Sequence, residues 1–158
     1  LFRSQEQFEK LLEQIDYADP HLTGGVIDQV VVHQQSRVWE LHLHLREVLP
    51  LAVFTQLEQK TAVSFHQLAK AQVRFEITTD QGELAQNLIS DYWPYVVRMV
   101  AGNSPMAQEI CLKTSPELDD GRVSLLMENE AVEQIFATKL LGKIEEGYQQ
   151  VGDRKSVV

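Results

Sequence analysis

The sequence predicts an α+β protein of two small domains, each a three-stranded, largely antiparallel sheet backed by helices. Ser36 to Leu45 (S-R-V-W-E-L-H-L-H-L) alternates cleanly, with Trp39, Leu41, Leu43 and Leu45 on one face and Val38, Glu40, His42 and His44 on the other. That period of two marks a strand with one buried and one wet face. Apolar residues at helical spacing flank it, in Ser4 to Tyr17 and after Pro50. The order helix, hairpin, helix, strand then recurs beyond residue 80 with little identity of letters, a repeat of architecture. Parallel sheets covered on both faces show near-continuous apolar runs, so the alternation favours antiparallel pairing with one open face.

The first domain, residues 1–80, reads α-β-β-α-β. Ser4 has Gln7 three residues on, a capping-box spacing, and Phe8, Leu11, Leu12 and Ile15 form one helix face. Asp19-Pro20 ends this helix, because the residue before a proline is pushed away from helical angles. Gly24-Gly25 marks a turn, and the β-branched run Val26 to His33 follows as a strand. The link Gln34 to Arg37 lacks an Asn-Gly or Asp-Gly pair, which predicts a longer hairpin loop. Pro50 opens a helix whose stripe is Phe54, Leu57, Phe65 and Leu68, with Thr61 in the gap. Ala71 to Thr78 alternates again, with Val73, Phe75 and Ile77 inward and Gln72, Arg74 and Glu76 outward. Trp39, Leu41, Leu43, Val73 and Phe75 are the expected core formers of this sheet.

The second domain, residues 81–158, reads α-α-β-β-α-β after the polar break Asp80-Gln81-Gly82. Glu83 to Asp91 is helical, Pro94 kinks that helix or opens a new one, and Ala101-Gly102-Asn103 stops it. Ser104-Pro105 opens a short helix. Thr114 to Leu118 is a strand that Pro116 confines to a sheet edge, and Asp119-Asp120-Gly121 turns it into Arg122 to Glu128. Asn129 caps a long helix that Gly152 stops, and Arg154 to Val158 reads as a final strand. The chain starts at Leu1 and stops with that strand under way, which reads as a fragment of something longer.

Composition narrows the function classes. The only cysteine, Cys111, excludes an internal disulfide and a cysteine-based zinc site, and fits the reducing cytoplasm. No apolar run approaches the roughly 20 residues of a membrane span. Net charge is −9 and the basic residues are scattered, the closest cluster being Arg154-Lys155. Nucleic-acid binders draw much of their affinity from neutralising phosphates, so this balance argues against direct nucleic-acid binding and suits a basic partner.

Three constellations bear on chemistry. Glu40, His42 and His44 share the open strand face, where two imidazoles could take a metal if Glu76 or Asp28 supplied a third ligand. The trio reads first as a solvated sheet face, where polar side chains alternate outward by default, and after that as a partner-binding surface. In Asp91-Tyr92-Trp93-Pro94-Tyr95 the aromatics cannot all share one helix face, so Trp93 or Tyr95 is a candidate exposed anchor. The alternative is that Trp93 packs between the two domains. Glu117, Asp119 and Asp120 could hold Mg²⁺, but turn chemistry accounts for Asp-Asp-Gly. Cys111 follows an apolar helical pattern and reads as packed. Phosphate loops, nucleophile elbows and metalloprotease His pairs are absent, so the residues imply no catalysis and no cofactor.

Four motifs carry a family resemblance: V-V-V-H-Q-Q-S-R-V-W-E-L-H-L-H-L (Val30 to Leu45), V-L-P (Val48 to Pro50), D-Y-W-P (Asp91 to Pro94) and S-P-M (Ser104 to Met106). They resemble the amino-terminal region of PolC, the Gram-positive type of replicative DNA polymerase III α subunit, over nearly the whole chain. The resemblance implies a non-catalytic appendage ahead of the oligonucleotide-binding, 3′–5′ exonuclease and polymerase domains. The second half is also similar to the C-terminal domain (domain V) of the clamp-loader τ subunit and to the first domain of DnaA. Those domains resemble truncated KH folds used for protein–protein contacts, and the G-x-x-G loop of a nucleic-acid-binding KH domain is missing here. The expected function is therefore an interaction module that tethers the polymerase to replisome partners, foremost τ, through Glu40, His42, His44, Trp93 and Tyr95. A nucleic-acid-handling accessory domain is the alternative, and a metal-dependent enzyme the third reading.

Overall fold

A computed structural model describes residues 4–80, 86–119, 122–126 and 140–152. The chain divides between Gln81 and Gly82 into two compact units, with residues 150–152 grouped with the first. Among the described residues there are five α-helices, a three-stranded sheet and a two-stranded sheet, an α+β arrangement. No helix among them is long and apolar enough to cross a membrane.

The first unit opens with α1 (Gln5–Gln14), capped by Ser4, whose Oγ accepts from the Gln7 N–H at 3.0 Å. Strands β1 (Val26–His33) and β2 (Val38–Leu45) form the expected hairpin, joined by a four-residue loop, 34–37. Helix α2 (Leu51–Ala69) then leads to β3 (Gln72–Thr79). The sheet order is β1-β2-β3, with β1 antiparallel to β2. The pairing of β3 differs from the antiparallel expectation: it runs parallel to β2, with Leu41 opposite Phe75 and Leu43 opposite Ile77. The reason is the connection. A 19-residue helix is about 28 Å long at ~1.5 Å per residue, close to the ~26 Å of an eight-residue strand. It therefore returns the chain to the end where β2 began, and the next strand must run the same way.

Ile27, Leu41, Leu43, Leu45, Phe75 and Ile77 are buried on one sheet face, as are Phe8 and Leu11 of α1 and Val53, Phe54 and Leu57 of α2. Gly25 has to be glycine for this packing, since a Cβ there would lie 2.6 Å from Phe8 Cε2 and 2.7 Å from Leu45 Cδ2. Two expected core formers differ. Trp39 and Val73 are only half-buried, because they are paired at the end of the sheet where β2 and β3 begin. There Trp39 meets the edge of Phe65, ring centroids 5.3 Å apart at 68°. Leu68, expected on the stripe of α2, is exposed.

The second unit is built on α3 (Gln86–Ala101), which carries Pro94 inside it rather than breaking there. Helix α4 (Pro105–Leu112) follows, with Ser104 Oγ accepting from Ala107 N–H at 3.3 Å. Strands β4 (Ser115–Asp119) and β5 (Arg122–Leu126) pair antiparallel, and α5 (Leu141–Gln150) is the last described helix. The Tyr148 hydroxyl of α5 donates 2.9 Å to the Ile89 carbonyl of α3, and Gly147 lies against Val96. The expected turn at Asp120-Gly121, the helix start at Asn129 and the final strand Arg154 to Val158 lie outside the described residues.

Candidate interaction face

The outer face of the first sheet is set by register. Glu40 stands between Val31 on β1 and Arg74 on β3, His42 between Gln29 and Glu76, and His44 between Val26 and Thr78. Both carboxylate oxygens of Glu40 are engaged. Oε1 accepts from Arg74 Nη2 at 3.0 Å, and Oε2 accepts from His33 Nε2. Arg74 sits directly opposite Glu40, and His33 reaches it diagonally across the hairpin. His42 Nε2 lies 3.6 Å from Glu40 Oε1, an ion-pair distance beyond hydrogen-bond range. His44 is held at both nitrogens, Nδ1 to Thr78 Oγ1 and Nε2–H to Asp80 Oδ1, each 2.7 Å.

These contacts decide what the trio can do. His33 first, then Arg74, hold the Glu40 carboxyl below the ordinary carboxylate value, because both favour its ionised form. Glu76, the first proposed third ligand, stands across from His42 but pairs with Arg74, Nε to Oε1 at 3.7 Å. Asp28, the second, sits at a β-bulge between Ile27 and Gln29. Among the described residues no three His, Cys, Asp or Glu side chains converge on a point that could hold a metal ion. The face is an ordered, ion-paired polar surface.

A pH dependence follows from Glu40. A depressed folded-state pKa means stability that is present above the unfolded value of roughly 4.3 and lost as pH falls through the folded one. Glu40→Gln is expected to cost about 1 kcal/mol at neutral pH, at the low end because His33 and Arg74 are half-exposed. That gap should shrink as pH falls below the unfolded value. Urea unfolding of both proteins at neutral and acid pH measures it, and a gap that widens in acid would reverse the assignment.

The second candidate pair is placed elsewhere. Trp93 and Tyr95, expected as exposed anchors, are buried. Trp93 Nε1–H donates 3.1 Å to the carbonyl of Cys111 in α4, and the Tyr95 ring meets Tyr92 edge-on at 6.2 Å. Their role is packing within the second unit. Cys111 is buried, and burial pushes its thiol pKa up, which makes it a poor nucleophile. Of Glu117, Asp119 and Asp120, the first two belong to β4, and Asp120 lies outside the described residues. The participants that sequence reasoning missed are His33, Asp80 and Thr78. A hairpin register drawn through the 34–37 loop would have placed His33 beside Glu40.

Fold and face together define an α+β chain whose first unit presents an ion-paired polar sheet surface. Residues 7–77 match the family DNA polymerase III polC-type N-terminus I, and residues 91–153 match DNA polymerase III polC-type N-terminus II. The chain is 36% identical over 152 residues to DNA polymerase III PolC-type of Lacticaseibacillus paracasei, covering 93% of this chain and 10% of the relative. It is 37% identical over 150 residues to that of Latilactobacillus sakei, covering 92% and 10%, and 24% identical over 153 residues to that of Bacillus subtilis. No solved structure matches the chain significantly. The chain belongs to the N-terminal region of PolC-type DNA polymerase III, and spans about a tenth of the length of the relatives it matches.

Proposed function

We propose that this chain is a non-catalytic interaction module of a cytoplasmic replicative polymerase, tethering it to replisome proteins, with the clamp-loader τ subunit as the leading partner. The observation that carries this reading is that two polC-type N-terminal families together account for most of the chain. DNA synthesis and 3′–5′ exonuclease activity would then reside in the remainder of the longer protein. Residues 1–80 and 81–158 act as two domains, the second related to τ domain V and truncated KH folds. The outer sheet face with Glu40, His42 and His44 is the proposed contact surface. Trp93 and Tyr95 are left out of it because they are buried.

Titration of the chain against purified τ and against primed DNA, each at low and high salt, tests this. Binding to τ with shallow salt dependence is the expected result. Phosphate binding weakens steeply, linearly in log–log with salt, so binding to DNA alone with a steep slope would replace the module with a nucleic-acid-handling domain.

A further inference from the structure

Strand β1 forms one edge of the first sheet, and among the described residues only its beginning is covered. Ile27 turns its backbone away from β2 and onto Ser4, with Ile27 N–H to Ser4 O at 3.0 Å and Ser4 N–H to Ile27 O at 2.9 Å. Ile27 stands opposite Leu43, and alternate pairs of an antiparallel ladder exchange bonds, so the pairs Val30–Leu41 and Val32–Trp39 also turn β1 outward. The bulge after Ile27 is what moves the outward set onto Val30 and Val32. Among the described residues no backbone group meets them on that side. Their side chains lie on the same face as Leu41, yet Val30 is 39% and Val32 44% exposed, against 6% for Ile27.

Free edges are normally blunted by lysine, proline or inward charge. The segment Gln29 to His33, Q-V-V-V-H, has none of these. The opposite edge, β3, differs: Phe75 and Ile77 are buried and alternate with Arg74 and Glu76. Charge selects the occupant. Helix α1 packs on β1 and, with the turn after it, presents Glu9, Glu13 and Asp16 beside the paired Glu6 and Lys10. A second copy would bring another net charge of −9 to the same place.

We infer that the outer edge of β1 at Val30 to Val32 accepts, as a fourth strand, an extended basic segment of another protein with small apolar residues at alternate positions. Main-chain bonds to Val30 and Val32 hold the segment, their exposed side chains pack its apolar positions, and the acidic surroundings orient it. This rests on the interaction-module reading and names where and what that module binds.

A synthetic peptide of alternating valine and lysine is the probe, titrated against the 158-residue chain. Its binding should slow amide exchange at Val30 and Val32. Val30→Pro removes an N–H that the ladder with β2 does not use, so the fold should persist while peptide affinity falls by about tenfold or more. Val32→Lys should do the same by charge, and it carries the test if the proline variant lowers the melting temperature. Wild-type affinity in a folded variant, protection elsewhere, or equal binding of a valine–glutamate peptide would each overturn the proposal. Self-association of the wild type that Val30→Pro abolishes would assign the edge to a second copy instead. If τ binds and folded Val30→Pro leaves that binding intact, the edge falls and the module reading stands. If no replisome protein binds but the peptide still protects Val30, the reverse holds.

Discussion

Replacing Trp93 with alanine is expected to destabilise the second unit by about 3–5 kcal/mol, the range for a large aromatic removed from a core. Trp93 is buried in α3, and its indole N–H satisfies the carbonyl of Cys111, itself fully buried in α4. Alanine leaves a cavity and removes one hydrogen bond from a carbonyl that Thr114 N–H still reaches at 3.1 Å, so the second loss adds only about 1 kcal/mol. Trp93→Phe separates the two, because it keeps most of the volume and drops the hydrogen bond. The only other tryptophan is Trp39, in the first unit, so fluorescence of either variant reports that unit alone. Circular dichroism and amide exchange along α3 then read the second. A variant within about 0.5 kcal/mol of wild type, the range of an ordinary surface substitution, would mean that Trp93 does not support the core.

The aromatic cluster shows one limit of reading letters. Tyr92, Trp93 and Tyr95 span too wide an arc for one helix face, which pointed to an exposed anchor, yet all three are buried. Helix α3 is packed from more than one side: α4 and β4 lie against it, and Tyr148 of α5 bonds its Ile89. Its wet stripe is narrow, formed by Ser90, Asp91, Pro94 and Arg98, and the buried arc is wide enough to take all three rings. Elements with one covered face were legible instead. The alternation of β2 placed Leu41, Leu43 and Leu45 in the core and Glu40, His42 and His44 outside.

Direction and register were not in that pattern. A strand with one buried face alternates identically whether its neighbour runs with it or against it, so the parallel pairing of β3 had to come from the geometry of α2. Register then decided the chemistry of the outer face. Arg74 was legible as outward-facing, but only the parallel register sets it opposite Glu40 rather than opposite His42 or His44. The result is a carboxylate already satisfied by a guanidinium and an imidazole, which consumes the donor a metal site would have needed.

Leu43→Ala should cost about 2–5 kcal/mol, and more than Trp39→Ala in the same strand. By side-chain size alone the order would be the reverse. Leu43 is 1% exposed and stands at the centre of the sheet, between Ile27 and Ile77, so its loss opens a cavity walled by three strands. Trp39 is half-buried at the sheet's end, and its loss chiefly removes an edge contact with Phe65, worth about 0.5–1.5 kcal/mol beyond area, while water fills the rest. Denaturant unfolding followed by circular dichroism, which both variants retain as a signal, gives the two free energies directly. A larger loss at Trp39 would place the centre of the first core at the Phe65 end of α2, not beneath the middle of β2.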